Sequence, residues 1–277
     1  MRFDSPYDPE ARYGNKRSMT WTGYKVHLTE TCEEGEPHLI THVETTRAMI
    51  SDSDLVVPIH EALSTKQLLP KQHLMDAGYT DAELFATSQP DYGVDVVGPI
   101  RSNGSWQAKA EQGFDLSSFL ISWETKTVTC PQGQTSRHWT PERTAWDQEV
   151  IEVAFAKKDC LACPQRALCT KAKTDPRTLT LRPKLQHEAL QAARKRQETA
   201  EFRQVYAKRA GVEGTISQGV RGFGLRHCRS IGLSKAHLQH IFTALAMNVV
   251  RSAAWLEGIP QAKTRTSRFA ALRGCGA

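Results

Sequence analysis

The sequence of 277 residues lacks several features that would assign it directly to a protein class. No stretch approaches the roughly 18 consecutive apolar residues of a membrane span, so no transmembrane helix is expected. The start of the chain has no apolar segment of the kind found in secretory signals. Internal repeats, phosphate-binding loops, dinucleotide fingerprints and HExxH patterns are also missing. These absences predict a globular, cytoplasmic protein with no membrane partner.

The seven cysteines are an odd number in a chain without a secretory signal, so a disulfide framework is not expected. Cys160, Cys163 and Cys169 have the spacing C-x2-C-x5-C, and Cys130 lies upstream in a CPQG turn. Four thiolates can hold a structural zinc ion in a tetrahedral site. The CPQG turn supplies only one cysteine, however, so buried free thiols remain the alternative to zinc.

Charge is distributed unevenly along the chain, although the formal net charge is only +6. Residues 1–182 carry 20 Lys and Arg against 25 Asp and Glu, a net charge of −5. Residues 183–277 carry 16 against 5, a net charge of +11. This excess favours a polyanion, and hence nucleic acid, as the partner of the second part. Solvated helix faces are the alternative explanation for any single basic run.

The first hundred residues alternate between strand and helix patterns, which predicts an α/β fold. Residues 22–31 and 38–46 have the alternation of an antiparallel hairpin. A helix is predicted over about 55–65, where Asp52 and Asp54 offer N-cap oxygens.

The next segment predicts a short buried strand over 73–79, with Asp76 at its C-terminal end. A helix over 81–87 and a strand over 94–100 follow. A carboxylate in the position of Asp76 projects from a sheet edge, where α/β proteins bind their ligands. Capping of the following turn or helix is the alternative role for this residue.

Residues 101–182 have a different pattern, in which short β-like runs alternate with turns that carry Gly, Pro and Cys. This predicts an inserted, mainly β subdomain. From about residue 184 the Ala and Gln content favours helix. A final amphipathic helix is predicted from about Ser234, its expected N-cap, and the tail after Pro260 is basic and expected to be mobile. The apolar residues that share one face of this helix are Leu238, Ile241, Leu245 and Val249.

Glu213 is an isolated acid in a basic stretch, so it is either a charge-balancing partner or a metal ligand. A carboxylate that binds Mg²⁺ while nearby arginines hold phosphates is typical of phosphoryl-transfer sites. Gly211 and Gly214 flank it, and each lowers helix stability by up to about 1 kcal/mol. Their presence indicates either a close approach to another group or the start or a kink of a helix.

Several segments together resemble the insertion-sequence DDE transposases, particularly the subgroup with a cysteine-bearing insertion. The resemblance extends from about residue 5 to 255. The segments that carry it are SPYDPEARYGNKR-(x)4-TGYKVHLTE, HLITHVETT, HLMDAGYTDAEL, CPQG with DCLACPQRALC, and RAGVEGTISQGVRGFGLRHCRSIGLSKAHLQHIFTALAMNVVR.

The resemblance implies a ribonuclease H-like core that transfers phosphoryl groups at DNA ends with two Mg²⁺ or Mn²⁺ ions. Asp76 would be the second acid of the D-D-E set and Glu213 the third, both as metal ligands. Tyr206 and Arg209 stand at the family's spacing before that Glu, Y-x2-R-x3-E. The family's Lys position is Val220, so the substrate contact usually given to that Lys is in doubt here.

The resemblance also implies the terminal repeats of a mobile element as the DNA partner, with a homo-oligomer as a possible assembly. The residues expected to contact DNA are Tyr206, Arg209, Arg221, Arg226, Arg229 and Lys235.

The first acid of the set is expected on a strand ahead of the 22–31 hairpin, but no strand-like run is recognisable there. Asp4 and Asp8 are candidates by position alone, and their Pro-rich context indicates a turn. Without that acid, a pair of metal ions lacks its bridging carboxylate. Our hypothesis is therefore a truncated transposase, with an inactive remnant that binds DNA or a full-length relative as the alternative.

These interpretations divide the chain into four parts. Residues 1–100 would form a ribonuclease H-like core that is incomplete at its N-terminus. Residues 101–183 would form the inserted β-rich subdomain with the cysteines. Residues 184–258 would be the helical C-terminal part of the core, followed by the basic tail 259–277.

Overall fold

The computed structural model describes residues 4–16, 18–101, 103–110 and 112–259, so the predicted tail from residue 260 onward lies outside the described residues. The fold is mixed α/β, as predicted, with small sheets and separate helices. The strands are β1 Arg12–Lys16, β2 Met19–Glu30, β3 Ile40–Arg47, β4 Gln72–Leu74, β5 Asp95–Val97, β6 Leu120–Ser122, β7 Thr127–Thr129, β8 His138–Arg143, β9 Glu149–Ala154 and β10 Thr178–Leu181. The helices are α1 Val56–Thr65, α2 Ala82–Tyr92, α3 Trp106–Lys109, α4 Lys157–Leu161, α5 Arg166–Cys169, α6 Lys184–Gln197, α7 Ala200–Ala207, α8 Ala210–Phe223 and α9 Leu233–Leu256.

The chain divides into two compact units. The described residues of the first, here called the acid unit, fall within Met1–Tyr79, Asp91–Gly98 and Thr199–Ala277. Those of the second, called the cysteine unit, fall within Thr80–Pro90 and Pro99–Glu198. Asp76 and Glu213 belong to the acid unit, and the clustered cysteines 130, 160, 163 and 169 belong to the cysteine unit.

The predicted hairpin is present in the acid unit as the antiparallel pair β2–β3, in which Tyr24 lies opposite Arg47 and Leu28 opposite Val43. The structure corrects one expectation, because a strand does precede this hairpin. That strand, β1, pairs with the first half of β2, and Gly14 lies against the ring of Trp21. The sequence of β1 is RYGNK, so it contains no carboxylate.

The helix predicted over 55–65 is α1, but its predicted capping residues are wrong. Asp52 is the N-cap residue of a short 3-10 turn, Ser53–Leu55, but its side chain makes no capping hydrogen bond there. The N-cap residue of α1 itself is Leu55, which has no side-chain oxygen. Asp52 instead receives a hydrogen bond from Lys25 Nζ at 2.6 Å. A charged partner is a stronger competitor for this carboxylate than a backbone N–H at a helix start.

The strand predicted over 73–79 is shorter in the structure, because the chain turns after Leu74 and Asp76 lies outside β4. The predicted helix over 81–87 and strand over 94–100 are present as α2 and β5. β4 ends two residues before Asp76 and pairs in parallel with β5. Tyr79 N–H donates to the carbonyl of Asp76 at 2.9 Å, which closes a turn. Asp81, rather than Asp76, caps the following helix by accepting from Leu84 N–H at 2.8 Å.

The cysteine unit is built on the antiparallel sheet β10–β9–β8 and the hairpin β6–β7. Alternation in VIEVAF and RTLTL turns one face of each strand inward. The buried cluster is wholly apolar, and it consists of Phe119, Val128, Val153, Phe155, Leu179 and Leu181.

The helical stretch predicted from residue 184 is broken into α6, α7 and α8. Thr199 ends the first part, because its side chain accepts from Phe202 N–H and so starts α7 as an N-cap. The final helix α9 begins at Leu233, so the predicted cap at Ser234 is wrong. The predicted apolar face of Leu238, Ile241, Leu245 and Val249 is exposed, whereas the buried side chains are Ala236, His240, Thr243, Ala244 and Met247.

Candidate active site

The two acids predicted from the sequence lie on either side of one arginine in the acid unit. Arg209 Nη2 is 3.6 Å from Asp76 Oδ2, and Arg209 Nη1 is 3.9 Å from Glu213 Oε1. The Arg209 side chain is 20% exposed, so its charge is only partly screened by water. The fold therefore brings both carboxylates to one guanidinium, although they are far apart in the sequence.

Glu213 occupies the first turn of α8 and is 81% exposed, whereas Asp76 is 47% exposed. A carboxylate in the first turn is favoured by the partial positive charge of the helix N-terminus. Both carboxylates are therefore accessible to a ligand from solvent, and neither forms a buried ion pair.

Two tyrosines border the acids. The pKa of Tyr206 is raised, mainly because the side chain is partly buried. The positive charge of Arg209 opposes this increase, and the negative charges of Asp76 and Glu213 add to it. The ring of Tyr206 stacks on Phe202 with centroids 5.4 Å apart. Burial likewise raises the pKa of Tyr79, and Asp52 and Asp76 add to that effect. Both phenols therefore stay neutral at physiological pH and can donate hydrogen bonds.

Asp52, Lys25 and His27 lie beside the Asp76 turn and were not singled out by the sequence as site residues. A Cβ added to Gly78 would be 3.3 Å from Asp52 Oδ2, which places this carboxylate against the turn. Tyr79 Oη and His27 Nδ1 are 2.5 Å apart. Burial lowers the pKa of His27 to about 4. The alternation of Lys25 and His27 along β2 was the available signal, but it could not reveal their partners.

A buried polar network anchors α8, the helix of Glu213, to the hairpin. Arg251 on α9 donates to Glu30 Oε2 at 3.0 Å and to Thr215 Oγ1 at 2.6 Å. Thr215 Oγ1 in turn donates to the same carboxylate oxygen of Glu30, whose side chain is 2% exposed. Arg251 also donates to Gln218 Oε1 at 3.0 Å and to the carbonyl of His38. Three elements of the acid unit are thus fixed by one guanidinium.

Gly211 and Gly214 on α8 were expected to mark either a close approach or the start or a kink of a helix. A Cβ on Gly211 would meet its nearest neighbour at 3.7 Å, and one on Gly214 would meet nothing within 4 Å. Among the described residues neither glycine is therefore in close contact with another backbone, and the alternative that was also expected, a helix start, is present at Ala210. The tight position is Gly219, where a Cβ would lie 2.9 Å from Leu225 Cδ2 and 3.3 Å from Met247 Sδ.

Asp8, one of the two candidates for the first acid, is engaged at the start of α9. It accepts from Gly232 N–H at 3.0 Å and from Tyr24 Oη at 2.8 Å. Burial opposes ionisation, but these hydrogen bonds lower the pKa of Asp8 overall. Glu10 accepts from Leu233 N–H at 3.0 Å in the same place. Asp8 and Glu10 therefore supply the capping oxygens that Ser234 was expected to supply.

The basic residues expected to contact DNA are exposed at the end of α8, in the α8–α9 loop and at the start of α9. Gln239 orders this loop, since it accepts from Arg229 N–H at 2.8 Å and donates to the carbonyl of His227 at 2.7 Å. Within the described ranges these side chains form no ion pair. The exposed set consists of Arg221, Arg226, Arg229 and Lys235.

The four clustered cysteines lie together in the cysteine unit. They line one cavity of about 40 Å³. The pKa of Cys169 is raised, mainly because its thiol is partly buried. The positive charge of Arg177 opposes this increase, and the neighbouring thiols add to it; they belong to Cys160, Cys130 and Cys163. Among the described residues, no group of three or more His, Cys, Asp or Glu side chains is arranged as a formed metal site.

A search of the helices in the described ranges found none with the length and hydropathy of a membrane span.

Comparison with known proteins gives one match. Residues 129–253 match the family model of the transposase DDE domain. The matched segment contains Tyr206, Arg209 and Glu213 as well as the four clustered cysteines, whereas Asp76 lies before it. No curated protein and no solved structure matches the chain. The family match supports a DDE transposase, a class of enzymes that acts on DNA and generally uses divalent metal ions.

Proposed function

We propose that the acid unit is the catalytic core of an insertion-sequence transposase with a ribonuclease H-like fold, in which Asp76 and Glu213 are the second and third acids. The observation that carries this proposal is the placement of both carboxylates within 4 Å of Arg209, at 3.6 and 3.9 Å. Further support comes from the parallel pair β4–β5, because Asp76 follows the carboxyl end of β4, where α/β sheets bind ligands.

The two carboxylates fit Mg²⁺ or Mn²⁺. Hard divalent ions prefer oxygen ligands, and Mg²⁺ is usually held by one or two carboxylates together with water and substrate phosphates. Asp76 and Glu213 offer such oxygens at accessible positions. A bound ion would polarise the phosphate and lower the pKa of an attacking water or 3′-hydroxyl.

The remaining residues act by position and charge. Arg209 offsets the mutual repulsion of the two acids and offers N–H donors to a DNA phosphate that approaches them. Tyr206, neutral at physiological pH and stacked on Phe202, would donate to the same phosphate. The exposed arginines of the α8–α9 loop would hold the phosphates that follow.

The first acid is proposed to come from a strand that the described residues do not contain. Residues 24–30 of β2 pair only with β3, and β4 pairs only with β5. Among the described residues, β4 and this part of β2 therefore have no strand paired on their other side. A further strand would satisfy the backbone groups of such edges. β1 contains no carboxylate, and Asp8 caps α9. A catalytically inactive remnant that binds DNA or a full-length relative is the alternative.

An activity assay separates these readings. The chain alone, incubated with Mg²⁺ and DNA that carries the ends of its own element, should show no strand cleavage. The reading frame upstream of Met1 should encode a strand that ends in Asp, and restoring it should produce Mg²⁺-dependent cleavage.

Variants of the restored protein test the two acids. Asp76→Asn and Glu213→Gln should each abolish cleavage, whereas Glu61→Gln, which changes an exposed acid of α1, should leave it unchanged. Cleavage by the chain alone would overturn the proposal of a missing acid. Cleavage that survives Asp76→Asn or Glu213→Gln would overturn the proposed site.

DNA binding is tested separately by titration with salt. The logarithm of the affinity should fall linearly with the logarithm of the salt concentration, because bound phosphates release counterions. Arg226→Ala, Arg229→Ala and Lys235→Ala should each make this slope shallower by about 1. Lys71→Ala, which changes an exposed lysine at the opposite end of β4 from Asp76, is the matched control. A slope that none of the three variants changes would exclude the loop as a phosphate-binding surface.

A further inference from the structure

The cysteine unit contains a cavity that the proposed transposition chemistry does not use. It has a volume of about 40 Å³, and the thiols of Cys130, Cys160, Cys163 and Cys169 line it together with Phe119 and Arg177. A cavity of about 10–15 Å³ already admits one water molecule. The space between the thiols is therefore sufficient for a single metal ion.

The turn that carries Cys130 is held by hydrogen bonds at the edge of this cavity. Cys130 follows directly after β7, and Gly133 N–H donates to its carbonyl at 2.9 Å. Gln134 N–H points at Cys130 Sγ from 3.4 Å. Gly133 has φ +77°, the left-handed conformation that glycine adopts most readily. These contacts therefore fix the position of Cys130 beside the other three cysteines that line the cavity.

The segment that carries the other three cysteines lacks an apolar core of its own. α4 and α5 have five and four residues, and neither contains a fully buried side chain. Helices this short are not stable by themselves. Arg166 links the segment through the carbonyls of Cys160, Ala172 and Asp175 at 3.3, 2.7 and 2.9 Å. Small regions held mainly by loop contacts are the usual setting of a structural metal ion.

A half-buried arginine that lines the same cavity provides further evidence. Arg177 lies 5.9 Å from the ring centroid of Phe119 and acts electrostatically on Cys169. Its Nε is buried and has no hydrogen-bond partner among the described residues. A buried donor without an acceptor is costly unless a nearby negative charge offsets it. Four thiolates around one Zn²⁺ carry a net charge of −2 and would provide that offset.

We propose that Cys130, Cys160, Cys163 and Cys169 bind one structural Zn²⁺ ion. Each thiol gives up its proton to solvent as it binds, so one Zn²⁺ replaces four protons and no group is oxidised or reduced. The thiols line the cavity without the close arrangement of a formed metal site, so binding requires them to turn inward. Rotation about χ1, which moves a cysteine sulfur between staggered positions, would supply this movement. The site is independent of Asp76 and Glu213.

The test is zinc stoichiometry by elemental analysis of the full chain, purified under reducing conditions. Wild type should contain one zinc per chain. Cys160→Ser and Cys169→Ser should each lower this to less than about one fifth, since three thiolates hold the ion less firmly. Cys228→Ser and Cys32→Ser, which change cysteines outside the cavity, should retain a full zinc complement.

A second measurement remains informative where a variant fails to fold. Co²⁺ exchanged into the wild-type chain should give the charge-transfer and ligand-field absorption of a tetrahedral four-thiolate site. Removal of the metal with a chelator should make four additional thiols reactive. Wild type with well under one zinc per chain, or with these cysteines joined in disulfides, would overturn the proposal. Full zinc retention in Cys160→Ser and Cys169→Ser would overturn it as well.

Discussion

The acid unit combines apolar clusters with buried polar networks, whereas the main cluster of the cysteine unit is apolar throughout. In the cysteine unit the central cluster is wholly apolar, from Phe119 to Leu181. In the acid unit, the contacts that join α8 and α9 to the hairpin include His240 with Thr45 and Arg251 with Glu30. Apolar clusters tolerate small shifts, whereas hydrogen-bonded networks fix a single arrangement of their members. The unit that contains Asp76 and Glu213 is thus the one that adds directional contacts to its apolar clusters.

The largest effect is expected at Arg251. Arg251→Ala would leave the buried carboxylate of Glu30 without its cation, and removal of one partner from such a pair typically costs about 3–5 kcal/mol. The free energy of unfolding, measured by urea denaturation, should fall by that amount. Arg251→Lys should recover only part of it, because an ammonium cannot reproduce the forked set of donors. Arg226→Ala, at an exposed position, should change the value by less than about 0.5 kcal/mol.

The corresponding change in the cysteine unit is Leu181→Ala. Leu181 is fully buried, and truncation to Ala leaves a cavity that costs about 2–5 kcal/mol. The free energy of unfolding, measured by urea denaturation, should therefore fall by that amount. Leu120→Ala, which truncates an exposed leucine on β6 of the same unit, serves as the control. An equal loss in both variants would contradict the central position of Leu181.

The two units should also respond differently to acid. Burial lowers the pKa of His27, His73 and His240 to about 4, and all three belong to the acid unit. The unfolded chain takes up these protons near pH 6.5, before the native protein does. The contribution of each neutral histidine to the free energy of unfolding is therefore fully present above about pH 6.5. It is lost as the pH falls toward 4, and the loss is on the order of 3 kcal/mol for each histidine.

Urea titrations at pH 7.0 and 4.5 measure this loss. His240→Gln should reduce the difference between the two pH values, since Gln has no proton to take up. His138→Gln, at an exposed position of the cysteine unit, should leave the difference unchanged. A pH dependence that is the same in wild type and His240→Gln would show that His240 does not contribute.

The sequence predicted the parts of the fold that depend on local patterns. Alternation predicted β2 and β3, and the turn residues after β4 placed Asp76 at a strand end. The charge of the second part led to the exposed arginines of the α8–α9 loop. Contacts between distant segments were not predictable from such patterns. Nothing local indicates that Arg251 binds Glu30, or that Asp8 rather than Ser234 caps α9.

Helix ends and buried faces were missed for related reasons. Thr199 looks like one polar residue in a helical run, and only its hydrogen bond to Phe202 N–H makes it the start of α7. The apolar face of α9 was recognised, but the side that packs against β3 carries His240 and Thr243. Periodicity finds an apolar stripe without stating which side the rest of the molecule covers.

A smaller effect is expected where α8 packs tightly. Gly219→Ala would place a Cβ 2.9 Å from Leu225 Cδ2, so the side chain of Leu225 or the helix has to shift. Overpacking of this kind costs about 1–3 kcal/mol. Thermal unfolding should therefore show a lower Tm for Gly219→Ala. A Tm equal to that of wild type would mean that Leu225 yields without cost, and that the tight contact does not fix α8.

Gly214 on the same helix should show the smallest effect, with the opposite sign. A Cβ there meets nothing within 4 Å, and the position is exposed. Gly214→Ala therefore adds no clash, while Ala reduces the conformational freedom of the unfolded chain, which stabilises a helix by about 0.4–1 kcal/mol. The Tm should rise slightly, in contrast to Gly219→Ala. Because one helix carries both positions, the pair separates packing from helix propensity. A lower Tm for Gly214→Ala would contradict the open space found beside this position of α8.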